Sequence, residues 1–313
     1  MRLAIIFLNF WLYAICANVE EQFKELFVIP DYTVSPLNFS TKCFDGLGCY
    51  YNGPPFYDPE FRPVSLLPSN NPRERIEFLL FTPFNKEDSQ NYTFKMTKES
   101  LENSHFNPQG MTIFWIHGWQ PYLNSTDELF RVKDAIFDHL ESHRYKNFFA
   151  VKWANYIGDS YDQALANGRV VGTMTAKLIE FLMSHTSAKK ESFHIIGHSI
   201  GGQIVAYVGQ EIPGLHRITA LDATESHFLH TDKMVRLDPS DANFVDIIHA
   251  NGGYNPFEGL GYPEPYGHQD FYPNGGRIQP GCGNPPIMNI TDDNVLRLYF
   301  KESCDHRRSV DYF

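Results

Sequence analysis

The chain has 313 residues, of which 42% are hydrophobic, 20% charged and 15% aromatic. That much apolar material supports a sizeable core and excludes an intrinsically disordered chain. The 26 basic and 37 acidic residues give a formal charge of −11. This is the wrong sign for neutralising phosphates, so no nucleic-acid partner is expected.

Residues 1–17 read MRLAIIFLNFWLYAICA. Arg2 precedes an apolar run from Leu3 to Cys16, broken only by Asn9, and a polar stretch follows. This is the pattern of a secretory signal peptide cleaved after Cys16 or Ala17. About 14 apolar residues are too few to span a bilayer. No later stretch is long and apolar enough to span, so the mature chain is expected to be secreted, with no transmembrane segment. Cysteine parity agrees: Cys16 leaves with the signal, and Cys43, Cys49, Cys282 and Cys304 remain. An even number in an exported chain suggests disulfides, and four cysteines allow three pairings. Pairing by nearness in sequence joins Cys43 to Cys49 and Cys282 to Cys304. A zinc site would call for a C-x-x-C pair, and there is none. N-x-S/T sequons at Asn38, Asn91, Asn124 and Asn289 mark expected glycosylated surface loops.

Asn18–Lys42 is a leader without a strong period, and Cys43–Asn71 is rich in Gly and Pro turns. Ile76–Thr82 and Tyr92–Met96 read as an early strand pair. Strands and helices then alternate. Met111–His117, Phe148–Trp153, Phe193–Gly197, Arg217–Asp222 and Phe244–His249 are compact apolar runs that read as buried strands. Ser125–His143 places Leu129, Val132, Ile136 and Leu140 at helical spacing, and Ser125 with Glu128 can form a capping box. Asp162–Met183 is a long helix with Val171, Met174, Leu178 and Leu182 on one stripe; Gly201–Gln210 is another helix. The pattern predicts a single α/β domain with a mostly parallel central sheet and helices on both faces.

Gly197-His198-Ser199-Ile200-Gly201 is a G-x-S-x-G sequence between a strand-like FHIIG and a helix-like IVAYVGQ. Glycines on both sides of the serine permit the strained turn that lifts Oγ clear of the backbone.

At this point the chain resembles the pancreatic (neutral) lipase family, its secreted insect-type members in particular. CFDGLGCY, FWIHGW, VGTMTAKLIEFL, IIGHSIGGQIV, ITALD, MVRLDPSDANFVDIIH, GHQDFYPNGG, QPGC and SCDHRRS carry the likeness, in the family's order, from Cys43 nearly to the end. It implies the α/β-hydrolase fold over residues 43–313 and hydrolysis of lipid esters at an oil–water or membrane interface. It makes Ser199 the nucleophile. Asp222, in Leu221-Asp222-Ala223-Thr224, becomes the acid, although the family's proline after it is replaced by Ala223. His306, in Cys304-Asp305-His306, becomes the base. These residue types suit the chemistry. A serine hydroxyl needs a base to take its proton, a neutral imidazole can take it and return it to the leaving alcohol, and the acid fixes the imidazole tautomer. Oxyanion donors are expected at the Ile200 and Trp119 amides. His117, His249 and His268 are expected to be scaffold.

The resemblance also implies a structural calcium at Arg236-Leu237-Asp238-Pro239-Ser240-Asp241, held by the side chains of Asp238 and Asp241 and the carbonyls of Lys233 and Arg236. No cofactor is expected in catalysis. The 21 residues between Cys282 and Cys304 look like the family's disulfide-tethered lid. Phospholipid-preferring members shorten that loop and the one between His249 and His268, and neither is short here. The chain ends seven residues past His306, which leaves no room for the C-terminal β-sandwich of vertebrate members, so no colipase partner is expected. The reading favoured by the sequence is a secreted serine lipase on acylglycerols. The alternatives are a phospholipase A1 on the same residues and a non-catalytic lipid-binding protein of the yolk type.

Overall fold

A strand buried on both faces must be apolar along its whole length, and two segments of the chain meet that condition at the centre of the fold. Phe193–His198 is buried at every position, and Met111–Ile116 at every position after the first. The computed structural model describes residues 38–92, 97–119, 126–138, 145–255, 258–282 and 304–313. The elements in chain order are β1 (Thr41–Phe44), β2 (Gly48–Tyr51), α1 (Pro72–Arg75), β3 (Glu77–Phe81), β4 (Gln90–Tyr92), α2 (Lys98–Glu102), β5 (Met111–Ile116), α3 (Thr126–Asp138) and β6 (Tyr145–Lys152). They continue with α4 (Tyr161–His185), β7 (Phe193–His198), α5 (Gly201–Glu211), β8 (Arg217–Leu221), β9 (Val245–Ile248), β10 (Gln269–Phe271) and α6 (Cys304–Tyr312). Phe39–Gly283 and Cys304–Phe313 form one compact unit. The signal segment 1–17, the leader up to residue 37, the cap residue Ser125, the sequons at Asn124 and Asn289, and lid residues 283–303 lie outside the described residues.

Eight strands form one sheet in the order β10-β9-β8-β7-β5-β6-β3-β4. All neighbours from β10 to β6 run parallel, and β3 pairs antiparallel with both β6 and β4. Parallel neighbours need a crossover, and α3, α4 and α5 supply those leading into β6, β7 and β8. On one face, Ile113, Trp115, Phe148 and Ile196 pack with Leu129, Val132 and Ile136 of α3 and Val310 of α6. By the pleat, Phe114 and Ile116 face the other way, where α5 lies against β7, β8 and α4. Among the described residues no helix is long and apolar enough to cross a membrane.

Four expectations need correction. The second early strand is Gln90–Tyr92, at the edge of the sheet, rather than Tyr92–Met96, whose residues 93–96 lie outside the described set. Asn91 therefore stands in a strand and not in a loop. The long helix α4 is buried well beyond one stripe, at nearly every position from Tyr161 to Ala176. The Pro-rich N-terminal segment lies over it: Asn167 accepts from Ser69 N at 2.7 Å, Gln163 Nε2 donates to Leu67 O at 3.0 Å, and Arg169 donates to Tyr51 O at 2.8 Å. Finally, β10 and α6 were not foreseen. β10 is only three residues long, and α6 is too polar to show an apolar stripe.

The first turn of α5 presses against the end of β5. A Cβ on Gly201 would sit 2.1 Å from Ile116 O and 2.8 Å from His117 O, both backbone atoms that cannot swing aside. Gly201→Ala is therefore expected to destabilise by about 3 kcal/mol or more, seen as a fall in Tm of roughly 6–12 °C. A Tm unchanged within error would contradict this packing.

Candidate active site

β7 ends at His198, and the chain turns at Ser199 with φ 58°, a left-handed conformation uncommon for a side chain with a Cβ. The turn is held by bonds on both sides. Ser199 N donates to Leu221 O at 3.1 Å, and Ser199 O accepts from Gly202 N at 2.9 Å and Thr224 N at 3.2 Å. Of residues 193–209 only Ser199 is not buried. The sharp turn thus leaves the serine as the one partly exposed residue of an otherwise closed strand–helix junction.

α5 begins immediately after the serine, so its first amides have no helical acceptor. Among the described residues the Ile200 N–H donates to no protein acceptor. Residues 118–119 cross beside the serine: a Cβ on Gly118 would lie 2.7 Å from Ser199 Cβ and 3.3 Å from Oγ, so only glycine fits there. Trp119 follows directly, its ring edge-on to Tyr161 at 5.7 Å, and Tyr161 bonds Thr224 Oγ1 at 2.9 Å.

Asp222 is fully buried one residue past β8, with φ 44°. The expected strand Arg217–Asp222 stops at Leu221 because of this turn. One carboxylate oxygen accepts from Ala250 N at 2.7 Å and Asn251 N at 3.0 Å, and the other accepts from His306 Nδ1 at 2.6 Å. Short bonds to an ionised acceptor are the strong kind. Ala223 stands after the acid, where the resemblance led us to expect a proline, and the turn is held by bonds instead. Ala223 O accepts from Tyr262 N at 2.7 Å, and the Thr224 N–H is taken by Ser199 O.

His306 lies in the first turn of α6 and is 4% exposed. Because Nδ1 donates to Asp222, Nε2 carries the lone pair. That atom is buried and has no hydrogen-bond partner among the described residues. Burial holds the His306 pKa below its ordinary value, although Asp222 pulls the other way, so the ring is a neutral base at pH 7. The start of α6 is anchored by the Cys282–Cys304 disulfide and by Gln279, which donates N–H to Asp305 at 2.6 Å and Nε2–H to Ala250 O at 2.7 Å. Gln279 thereby links the helix of the base to the loop that clamps the acid. Sequence reasoning missed Ala250, Asn251 and Gln279. The first two act through backbone amides, which no residue type reveals, and QPGC offered Gln279 only as a neighbour of a cysteine.

The other histidines of the family segments have their ring nitrogens engaged elsewhere. His249 contacts Tyr262 O at 2.7 Å and Asp270 at 2.8 Å, His117 contacts Gly118 O at 2.8 Å, and His268 accepts from Val245 N at 3.0 Å. In the loop between His249 and His268, Leu260, Tyr262 and Tyr266 are buried, and its first two amides hold Asp222. It is part of the scaffold of the acid as well as a loop whose length was read for substrate preference. The second disulfide is Cys43–Cys49, between directly paired residues of the β1–β2 hairpin. Asn38 is exposed.

In the acidic turn, Asp238 and Asp241 are 2% and 3% exposed. Asp241 accepts from Asp238 N at 2.9 Å, and Asp238 accepts from Ser240 N and Oγ, each at 2.7 Å. Burial, with the neighbouring Asp238 charge adding to it, pushes the Asp241 carboxyl up to about 7. Gln210 bonds the Asp241 side chain and reaches Lys233 O at 3.3 Å, so these two expected oxygen donors lie close together. Arg236 turns its guanidinium to Leu237 O at 2.9 Å.

Comparison with known proteins gives a consistent set of likenesses. A family model described as Lipase matches residues 40–313. Inactive pancreatic lipase-related protein 1 of Mus musculus is 34% identical over 292 residues, covering 92% of this chain and 60% of that one. Pancreatic triacylglycerol lipase of Cavia porcellus is 37% identical over 279 residues, covering 87% and 58%. The chain thus spans about three fifths of the length of the curated relatives it matches. A solved phospholipase/carboxylesterase from Dyadobacter fermentans overlays 62% of this chain and 77% of that one, with a TM-score of 0.37 at 9% identity.

Proposed function

Since the chain belongs to the lipase family, we propose that it is a secreted serine-type lipase that hydrolyses acylglycerol esters through an acyl-enzyme on Ser199. One observation supports this above the others. The buried His306 is bonded through Nδ1 to the fully buried Asp222, its Nε2 has no partner among the described residues, and Ser199 stands partly exposed on a strained turn. In this reading His306 Nε2 takes the Ser199 proton as Oγ attacks the ester carbonyl. The oxygen that becomes negative is met by the N–H groups of Ile200 and Trp119. The imidazolium, stabilised by Asp222, gives its proton to the leaving alcohol. Water then attacks the acyl-enzyme by the same route, with His306 as base, and frees the fatty acid. The signal-like N-terminus and the two disulfides suit an oxidising, extracellular setting.

A second reading has a specific observation behind it, because a relative as similar as the mouse protein is described as inactive. A fluorophosphonate probe separates the two. Covalent labelling is expected in the wild-type protein and absent in Ser199→Ala, with His306→Ala lowering kcat at least about 10⁴-fold. No Ser199-dependent labelling would leave a binding protein on a lipase scaffold. On lipid, triolein is expected to be cleaved faster than phosphatidylcholine. Preferential release of the sn-1 chain of phosphatidylcholine would instead make the protein a phospholipase A1.

The acidic turn fits a hard cation such as calcium. It offers two buried carboxylates three residues apart in one turn with the Lys233 carbonyl nearby, and burial with the Asp238 charge leaves Asp241 poorly ionised. Asp238, Asp241 and the carbonyls of Lys233 and Arg236 would hold the ion. Its contribution there is structural, pinning residues 233–241 by charge. The sign of the pH effect follows from the raised Asp241 pKa. Without the ion, this group's contribution to stability falls as pH rises from about 4 to about 7, because the folded state keeps a proton that the unfolded state has lost. Calcium is therefore expected to raise Tm more at pH 8 than at pH 5. Asp241→Asn should abolish that difference, and esterase kcat should be insensitive to chelator well below Tm. Equal Tm with calcium and with chelator at pH 8 would exclude the site.

A further inference from the structure

The triad leaves one face of the His306 ring to be covered, and the residue that covers it is titratable. The His198 ring packs on His306 with centroids 4.8 Å apart at 39°. His198 is the residue before the nucleophile, at the last position of β7, and it is 3% exposed. Its Nδ1 lies 3.1 Å from Oε1 of Glu128, which is also 3% exposed and comes from the first turns of α3. At that distance charge attraction and hydrogen bonding both draw the two groups together. A carboxylate and an imidazole so deep in the fold are expensive to keep, and neither takes part in the proton path from Ser199 to His306.

We propose that Glu128 and His198 form a buried ion pair that acts as a positioning device for the base: Glu128 keeps His198 an imidazolium, and that cation, packed on the ring of His306, holds the catalytic imidazole uncharged in the resting enzyme. The inference rests on the Ser199 hydrolase reading. Asp222 alone would draw a proton onto His306. The positive charge of His198, packed on the ring, opposes it and outweighs the weaker pull of the Glu128 charge in the same direction as Asp222, so the lone pair at Nε2 stays available at mildly acidic pH. The charged groups around the pair are consistent with this role. Glu128 is brought down to about 2 despite its burial, by the charge of His198 and its hydrogen bond, with Arg307 and His117 adding to the effect. His198 is raised in spite of burial by Glu128 first, then by Asp222 and the main chain of His306. His117 is held down to about 4 by burial and is not a competing cation at neutral pH. Tyr266, which feels the Asp222 charge, is kept neutral chiefly by burial, and Asp305 accepts from Gln279 N.

The test is the pH profile of kcat/KM on a soluble short-chain p-nitrophenyl ester, for wild type, Glu128→Gln and Glu128→Asp. Glu128→Gln removes the partner of His198, which burial then leaves neutral, so His306 loses its neighbouring cation. The acid limb is expected to move up by about one pH unit. At a pH one unit below the wild-type midpoint, this makes the variant's relative rate roughly 5- to 10-fold lower. Glu128→Asp, which keeps the charge, should restore the limb most of the way. A structural loss would lower the rate at every pH without moving the limb. If Glu128→Gln does not fold, the double variant Glu128→Gln/His198→Asn removes both charges and should show the same shifted limb. A folded variant, labelled at Ser199, whose acid limb coincides with wild type would overturn the proposal. Titration of the His306 ring by NMR in wild type and Glu128→Gln reads the same shift without turnover. If the wild-type protein proves inactive, the hydrolase reading fails on the probe while the ion pair is judged separately, an upward shift of His306 supporting it and an unchanged titration refuting it.

Discussion

The site depends on how one carboxylate is held. Asp222 is fully buried and accepts three hydrogen bonds, two from the backbone amides of Ala250 and Asn251 and one from His306. A buried carboxylate with fewer partners would be costly. The chain therefore has to bring the end of β8, the loop after β9 and the start of α6 to one point. Much of the surrounding architecture serves that convergence. The left-handed turn at Asp222 ends its strand one residue early, and Leu260, Tyr262 and Tyr266 of the following loop are buried instead of spreading over the surface. Gln279 then ties the loop to the helix that carries the base.

The same convergence accounts for what was legible in the sequence. Parallel strands covered on both faces are apolar throughout, so β5, β6, β7, β8 and β9 stood out as runs. The helices between them showed as stripes, or, for α4, as a stripe inside a fully buried face. The serine was legible because a strained strand-to-helix turn demands glycines at fixed offsets, and at both Gly197 and Gly201 backbone atoms approach too closely for a Cβ. Asp222 and His306 stand 84 residues apart. No local pattern links them, and only resemblance over the whole chain put them together.

What escaped the sequence did so for physical reasons. Backbone donors have no residue signature, so the clamp on Asp222 could not be read. β10 is three residues long and α6 has a polar, short sequence, CDHRRSVDY, in which a helix earns its place through the tether at Cys304 and the burial of His306, Ser309 and Val310. Glu128 did leave a trace. It falls four residues before Val132 and eight before Ile136, in phase with the apolar stripe of α3, where an acid has no solvent to face. A cap on the helix and a partner in the core are both open to an acid at that position, and only the coordinates distinguish them by placing His198 at 3.1 Å.

That placement bears on how this scaffold tolerates so many charges near one hydroxyl. Within two residues of contact with the His306 ring stand an anion, a cation and a second anion: Asp222, His198 and Glu128. Alternating signs at such distances largely cancel at long range but not at the ring itself, where the nearest charges dominate. The ring's readiness to accept a proton is then set by which neighbour is closer rather than by the net charge of the site. The chain as a whole carries −11, yet the local balance against His306 is governed by two rings and two carboxylates excluded from water. Changes on the surface should leave that balance nearly untouched, while a single isosteric substitution in the core can tilt it.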